Sequence, residues 1–143
     1  MSMRLIIGAA AALAVQSLAQ IPGQTPGQTP GQTPGQTKVT PLVTKDLTGI
    51  PGKEGAMLTV EFAPGQASTS HRHNAFTFVY VLEGSVVMQV KGGNALTLGP
   101  GETFYESPED IHVVSKNASD TKPAKILVFF VKDKGAPASQ PAH

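Results

Sequence analysis

An all-β fold, built as a small sandwich or barrel, is what this sequence predicts, on three observations. Beyond Lys38 the apolar residues come in short β-prone runs, Gly, Pro and Asn separate those runs, and no stretch keeps helical periodicity for longer than a turn or two. With 143 residues there is length for one domain with a real core and hardly for two. Strands this short bury their faces only by pairing into a closed or double-layered sheet.

Taken in order, the runs read as strands at Val39–Thr44, Ala56–Phe62, Phe76–Leu82, Ser85–Lys91, Ala95–Leu98, Thr103–Glu106, His112–Ser115 and Lys125–Val131. Glu83-Gly84 and Gly92-Gly93-Asn94 supply hairpin turns between neighbours, while Pro64-Gly65 and Pro100-Gly101 break the chain elsewhere. Side chains two apart on a strand share a face, so His71, His73, Thr77, Val79 and Val81 project together and Phe78, Tyr80 and Leu82 oppose them. Both sets are largely apolar. That strand is therefore expected to be covered on both sides, as a barrel wall or as a wall beneath a homodimer contact. In the next run Gln89 and Lys91 mark a wet face and leave Val86, Met88 and Val90 to fill the interior.

Outside the domain expected at residues 39–134 the composition changes. Arg4 precedes an apolar run from Leu5 to Val15, and Ser17-Leu18-Ala19 offers the small residues a signal peptidase cuts after, so residues 1–19 read as a bacterial signal peptide. The apolar run falls short of the ~20 residues a bilayer requires. No membrane partner is expected after cleavage before Gln20, and the mature chain is expected in the periplasm or secreted. Residues 20–38 carry Pro-Gly-Gln-Thr four times, starting at Pro22, Pro26, Pro30 and Pro34. With nothing apolar to bury, this repeat is expected to be an extended linker. Residues 135–143, rich in Ala and Pro, are expected to fray as a flexible tail.

Charge and composition exclude several function classes. Eleven Lys and Arg against ten Asp and Glu leave a formal charge of +1 without a cationic cluster, so nucleic acid is not an expected partner. The chain has no cysteine, which removes disulfides, thiolate ligands and thiol nucleophiles. Chemistry falls to histidines, carboxylates, hydroxyls or a bound ion. His71 and His73 stand two apart, with Cα atoms about 7 Å from each other on a strand, and both rings can reach one ion if a third ligand completes the set. Alone, the pair fits solvated or hydrogen-bonded histidines better than metal ligands.

The stretch from Gly65 to Asn117 resembles the two motifs of the cupin superfamily. The first runs Gly, five residues, His-x-His, three or four residues, Glu, six residues, Gly; Gly65, His71, His73 and Gly84 match it within PGQASTSHRHNAFTFVYVLEG, but Thr77 or Phe78 stands where the Glu belongs. The second runs Gly, five residues, Pro-x-Gly, two residues, His, three residues, Asn; Gly101 and His112 match, while Ser107, Glu109 and Lys116 replace the others, and Pro108 and Asn117 fall one residue late. The resemblance implies a small double-stranded β-helix, or jelly-roll, barrel in which His71, His73 and His112 hold a divalent transition metal. Iron, zinc or copper suit such a set, with manganese and nickel as further candidates.

Without the family's carboxylate, three neutral imidazoles leave the ion its full charge and open positions for a small oxygen-rich ligand. Thr77 is expected to hydrogen-bond a metal-bound water or a His N–H. Tyr105 and Glu106 are neighbours on one strand, so only one of them faces the lumen, where it would act as acid, base or substrate hydrogen-bonding group; otherwise Tyr105 packs and Glu106 is a surface charge. Glu61, Glu102, Glu106, Glu109 and Asp110 are the acids that could stand in for the missing Glu, with Glu102 expected in solvent. The resemblance implies two kinds of function. One is a three-His metalloenzyme, dioxygenase-like or else an isomerase or lyase; the other is a non-catalytic periplasmic module that binds a small molecule or metal.

Overall fold

A computed structural model describes residues 37–142; the expected signal peptide and nearly all of the repeat lie outside the described residues. The strands are β1 (Lys38–Asp46), β2 (Lys53–Phe62), β3 (His71–Arg72), β4 (Phe76–Glu83), β5 (Val86–Val90), β6 (Leu96–Leu98), β7 (Thr103–Glu106), β8 (His112–Asn117), β9 (Ala124–Asp133) and β10 (Gln140–Pro141). They pair antiparallel into two five-stranded sheets, in the orders β1-β2-β9-β4-β7 and β10-β3-β8-β5-β6. Every expected strand is present, Thr103–Glu106 with both ends as expected and the others with one or both ends shifted. The two that the sequence reading missed, β3 and β10, are two residues long, too short to display a period.

Alternation decides which side chains enter the space between the sheets. In β9, Ala124, Ile126, Val128 and Phe130 are buried and the residues between them half-buried. In β4, Thr77, Val79 and Val81 are buried while Phe76, Phe78, Tyr80 and Leu82 stand exposed on the outer face. From the opposite sheet Val86 and Met88 point inward, as their spacing predicts. Phe62, Phe130 and Met88 are among the largest fully buried side chains, each stabilising the fold by roughly 1.5–3 kcal/mol through burial. Lys132 continues the inward parity of Phe130 and is neutralised by Glu54, its register partner on β2. Its ammonium also donates to the Ala136 carbonyl at 2.6 Å.

Two details tie loops to this frame. Asn117, one residue beyond the family's asparagine, is buried at the end of β8, where its Nδ2 donates to the carbonyls of Ala63 (3.1 Å) and Lys122 (2.7 Å) and its Oδ1 accepts from Ser119 N (2.9 Å). A one-residue offset thus still satisfies backbone groups that the turn leaves unpaired. The second detail concerns the tail: Gln140 and Pro141 pair in register with Arg72 and His71, adding β10 to the edge of the second sheet. The tail composition carries no hydrophobic signal because its attachment is through backbone groups and one docked alanine, Ala138, that packs on the core.

Candidate metal centre

The register of β3 against β8 places His71 and His112 directly opposite one another. His73 follows two residues on, and the sequence then passes through Asn74 in the left-handed region (φ 48°), which asparagine tolerates, into β4. Ring nitrogens of His71, His73 and His112 all lie within 4.8 Å of one another. The resemblance to the cupin motifs implies such a group; the strand pairing assembles it. Phe104 stacks on His112 with ring centroids 5.7 Å apart, and Phe130 lies against His73 at 4.9 Å, so aromatic walls restrain two of the three rings.

Hydrogen bonds orient the first pair. His71 Nδ1 donates to the Thr69 carbonyl at 2.8 Å, and His73 Nδ1 donates to the Ala138 carbonyl at 2.7 Å. A carbonyl only accepts, so each Nδ1 carries the proton and each Nε2 keeps its lone pair in the neutral ring. This is the arrangement by which metal-binding histidines are held in one tautomer. Burial holds His73 below its ordinary pKa of 6.5, against the opposing pull of Glu106 and the Ala138 carbonyl, which keeps the ring a neutral ligand at neutral pH.

Glu106 completes the polar cluster. It is fully buried, with Oε1 3.2 Å from His112 Nδ1 and Oε2 3.9 Å from His73 Nε2. The closer approach is misaligned for a hydrogen bond, so both carboxylate oxygens and both His112 nitrogens are buried without a hydrogen-bond partner among the described residues. Buried polar atoms left in this state are costly unless something coordinates them. A divalent cation is such a group, and the donor set suits one: His71, His73 and His112 would hold it, with Glu106 beside them.

The other expected residues fall out differently. Tyr105 is 49% exposed on the outer face, packed on Phe78 with centroids 5.2 Å apart; it is not a lumen residue, because its parity is opposite to that of Glu106. Thr77 does line the lumen, but its hydroxyl donates to the Ala75 carbonyl at 3.3 Å rather than meeting a histidine. Glu61 faces Lys38 and Lys125 on the surface, Glu102 accepts from Gly99 N in a turn, and Asp110 accepts from Ser107 N. Sequence reasoning missed the Ala138 carbonyl and the Phe104 wall. Neither carries a motif.

The centre opens into a cavity of about 450 Å³ between the sheets. Its walls are mainly apolar, including Leu58, Val60, Met88 and Val128, and among the described residues no Lys or Arg lines it. Exposed residues of β1 and of the tail, Val39 and Gln140 among them, form its rim.

A family model described as a cupin domain matches residues 58–130, which hold all three histidines and Glu106. The chain is a cupin. Among curated proteins none matches it. A Klebsiella pneumoniae protein with a double-stranded β-helix domain shares 18% identity over 78% of this cupin and 89% of its own chain, at a TM-score of 0.60. An oxalate oxidase in complex with the substrate analogue glycolate shares 26% identity, at a TM-score of 0.58, over 76% of this cupin and 56% of its own chain. The DMSP lyase DddQ from Ruegeria pomeroyi shares 20% identity, at a TM-score of 0.54, over 62% of this cupin and 43% of its own chain. This cupin therefore spans about half the length of either enzyme or less.

Proposed function

We propose that this cupin is an exported metalloprotein in which His71, His73 and His112 hold one divalent transition metal that binds a small, oxygen-rich molecule in the barrel lumen. The observation that carries the reading is the convergence of three imidazoles within 4.8 Å, two of them fixed in the Nδ1–H tautomer by backbone carbonyls. When bound, the metal supplies Lewis acidity and open positions for a substrate oxygen or dioxygen. The protein's own part is to orient the rings, to exclude water with the apolar wall, and to present the Glu106 carboxylate beside His112. The similarity to an oxalate oxidase bound to glycolate supports a small carboxylate or enolisable ligand, and a dioxygenase-like reaction is the finer form of the reading. The scarcity of acid–base groups favours a second one, a binding module that returns its ligand unchanged: besides the histidines, Glu106 is the one titratable residue lining the cavity among the described residues. Export rests on residues 1–19 alone.

Elemental analysis of protein purified without a His-tag tests the centre. About one equivalent of transition metal is expected in the wild type and none in the His71→Ala/His112→Ala variant. Equal metal in both, or none in either, removes the centre. Oxygen uptake by the Fe(II)-loaded protein with small carboxylates and diketones then separates the enzyme from the binder.

The homodimer draws its support from the outer face of the first sheet. Phe76, Phe78, Tyr80 and Tyr105 form one exposed aromatic patch there, each 45–49% accessible, with Phe129 beside Phe78. A two-fold dimer joins the same patch of both subunits, and an exposed aromatic patch is what such a contact would cover. Sedimentation is expected to find a dimer in the wild type and a monomer in Phe78→Lys; a monomeric wild type sinks the idea.

A further inference from the structure

We infer that Glu106 is the fourth ligand of the metal centre, supplying from β7 the carboxylate that the first cupin motif lacks on β4. The inference rests on the three-histidine reading and goes beyond it. Thr77, at the motif's empty glutamate position, is the register partner of Glu106 across the β4·β7 ladder. Both side chains are fully buried on the same inward face. Cross-strand partners have Cβ atoms about 4.5–5.5 Å apart, so a carboxylate on either strand reaches into the same part of the lumen. The substitution at residue 77 has therefore moved the charge one strand sideways rather than removed it.

Energetics points the same way. An ionised carboxylate taken out of water costs several kcal/mol unless a cation or donors satisfy it. Neither Glu106 oxygen has a hydrogen bond, and no Lys or Arg lines the lumen among the described residues. Two nitrogens of the candidate ligands lie close to the carboxylate, His112 Nδ1 at 3.2 Å and His73 Nε2 at 3.9 Å. Oxygen and nitrogen donors at such separations can bind one ion together, and an ion there would meet the carboxylate and the imidazoles at once. Three neutral imidazoles and one carboxylate leave the centre with a net charge of +1. That charge suits a monoanionic oxygen ligand, a carboxylate or an enolate, and the apolar wall suits an apolar body on it. The hard oxygen donor also widens the metal choice toward manganese.

Titration with Mn(II), read from the electron-paramagnetic signal of the free ion, and with Zn(II) in competition with a chelator, tests this on three proteins. They are the wild type, the isosteric Glu106→Gln variant, and the exchange variant Thr77→Glu/Glu106→Thr. Glu106→Gln is expected to lose about 10- to 100-fold in Mn(II) affinity and less for Zn(II), and the exchange is expected to recover most of that loss. Unchanged Mn(II) affinity in Glu106→Gln overturns the inference while leaving the histidine centre standing. So does a folded exchange variant that binds as weakly as Glu106→Gln, because a carboxylate that merely orients His112 would not be replaced from β4. A wild type that binds neither metal overturns the inference together with the centre.

Discussion

A chain ending at Lys134 is expected to bind its metal about 10- to 100-fold more weakly than the full chain, the range typical for loss of a group that orients a metal-binding histidine. The truncation removes three attachments at once. Ala138 no longer accepts from His73 Nδ1, so the ring is free to rotate and to change tautomer. The β10·β3 pairing disappears, freeing the strand that carries His71. Lys132, buried on the inward face, loses the Ala136 carbonyl and keeps Glu54 as its partner. Part of the cavity rim goes as well, admitting water to the lumen. The core of β2, β4 and β9 loses only the docked Ala138, so the truncated chain is expected to fold, with stability lowered by about 1–2 kcal/mol for the lost hydrogen bonds. Chelator competition for Zn(II) and a thermal melt on the same sample give both quantities. Full metal affinity in the shortened chain would show that the tail is an ornament.

Gly84→Ala is expected to destabilise the barrel by about 3 kcal/mol or more. Two costs combine. Gly84 has φ +69°, and an L-residue there costs roughly 1–2 kcal/mol. A Cβ would also stand 2.5 Å from the Pro123 carbonyl oxygen and 2.9 Å from Ala124 Cα. Both are backbone atoms at the start of β9 and cannot rotate away, so the β4–β5 turn must lift from that strand at an overpacking cost of roughly 1–3 kcal/mol. Gly92→Ala is the control. Its φ is +83°, but a Cβ there meets nothing within 4 Å, so only the conformational cost of roughly 1–2 kcal/mol applies. Urea denaturation of the two variants separates the terms, and equal losses would refute the close-approach explanation. The glycine at the end of the first motif thus has a physical reason: the chain crosses directly over it.

How much of the site was legible depended on how each residue announces itself. Thr77, Val79 and Val81 were placed on the face of the histidines by counting in twos, because β4 is long enough for its period to show, and the structure makes that face the inner one. Tyr105 and Glu106 could be reduced to one lumen residue but not chosen between, since a four-residue strand does not reveal which face is buried. The structure turns the Glu106 carboxylate into the lumen and leaves Tyr105 on the outer face. Thr77 and Glu106 are 29 residues apart in the sequence, and only the β4·β7 register makes them neighbours.

By itself the sequence determined the all-β class and most of the strands, which follow from local period and turn residues, while its resemblance to the cupin motifs singled out the three histidines. The tertiary structure alone decided which histidine faces which, that the acid beside them is Glu106, and that the Ala-Pro tail closes over the lumen to hold His73. Those outcomes depend on hydrogen-bond register between distant strands and on backbone carbonyls, and neither leaves a mark in the order of side chains.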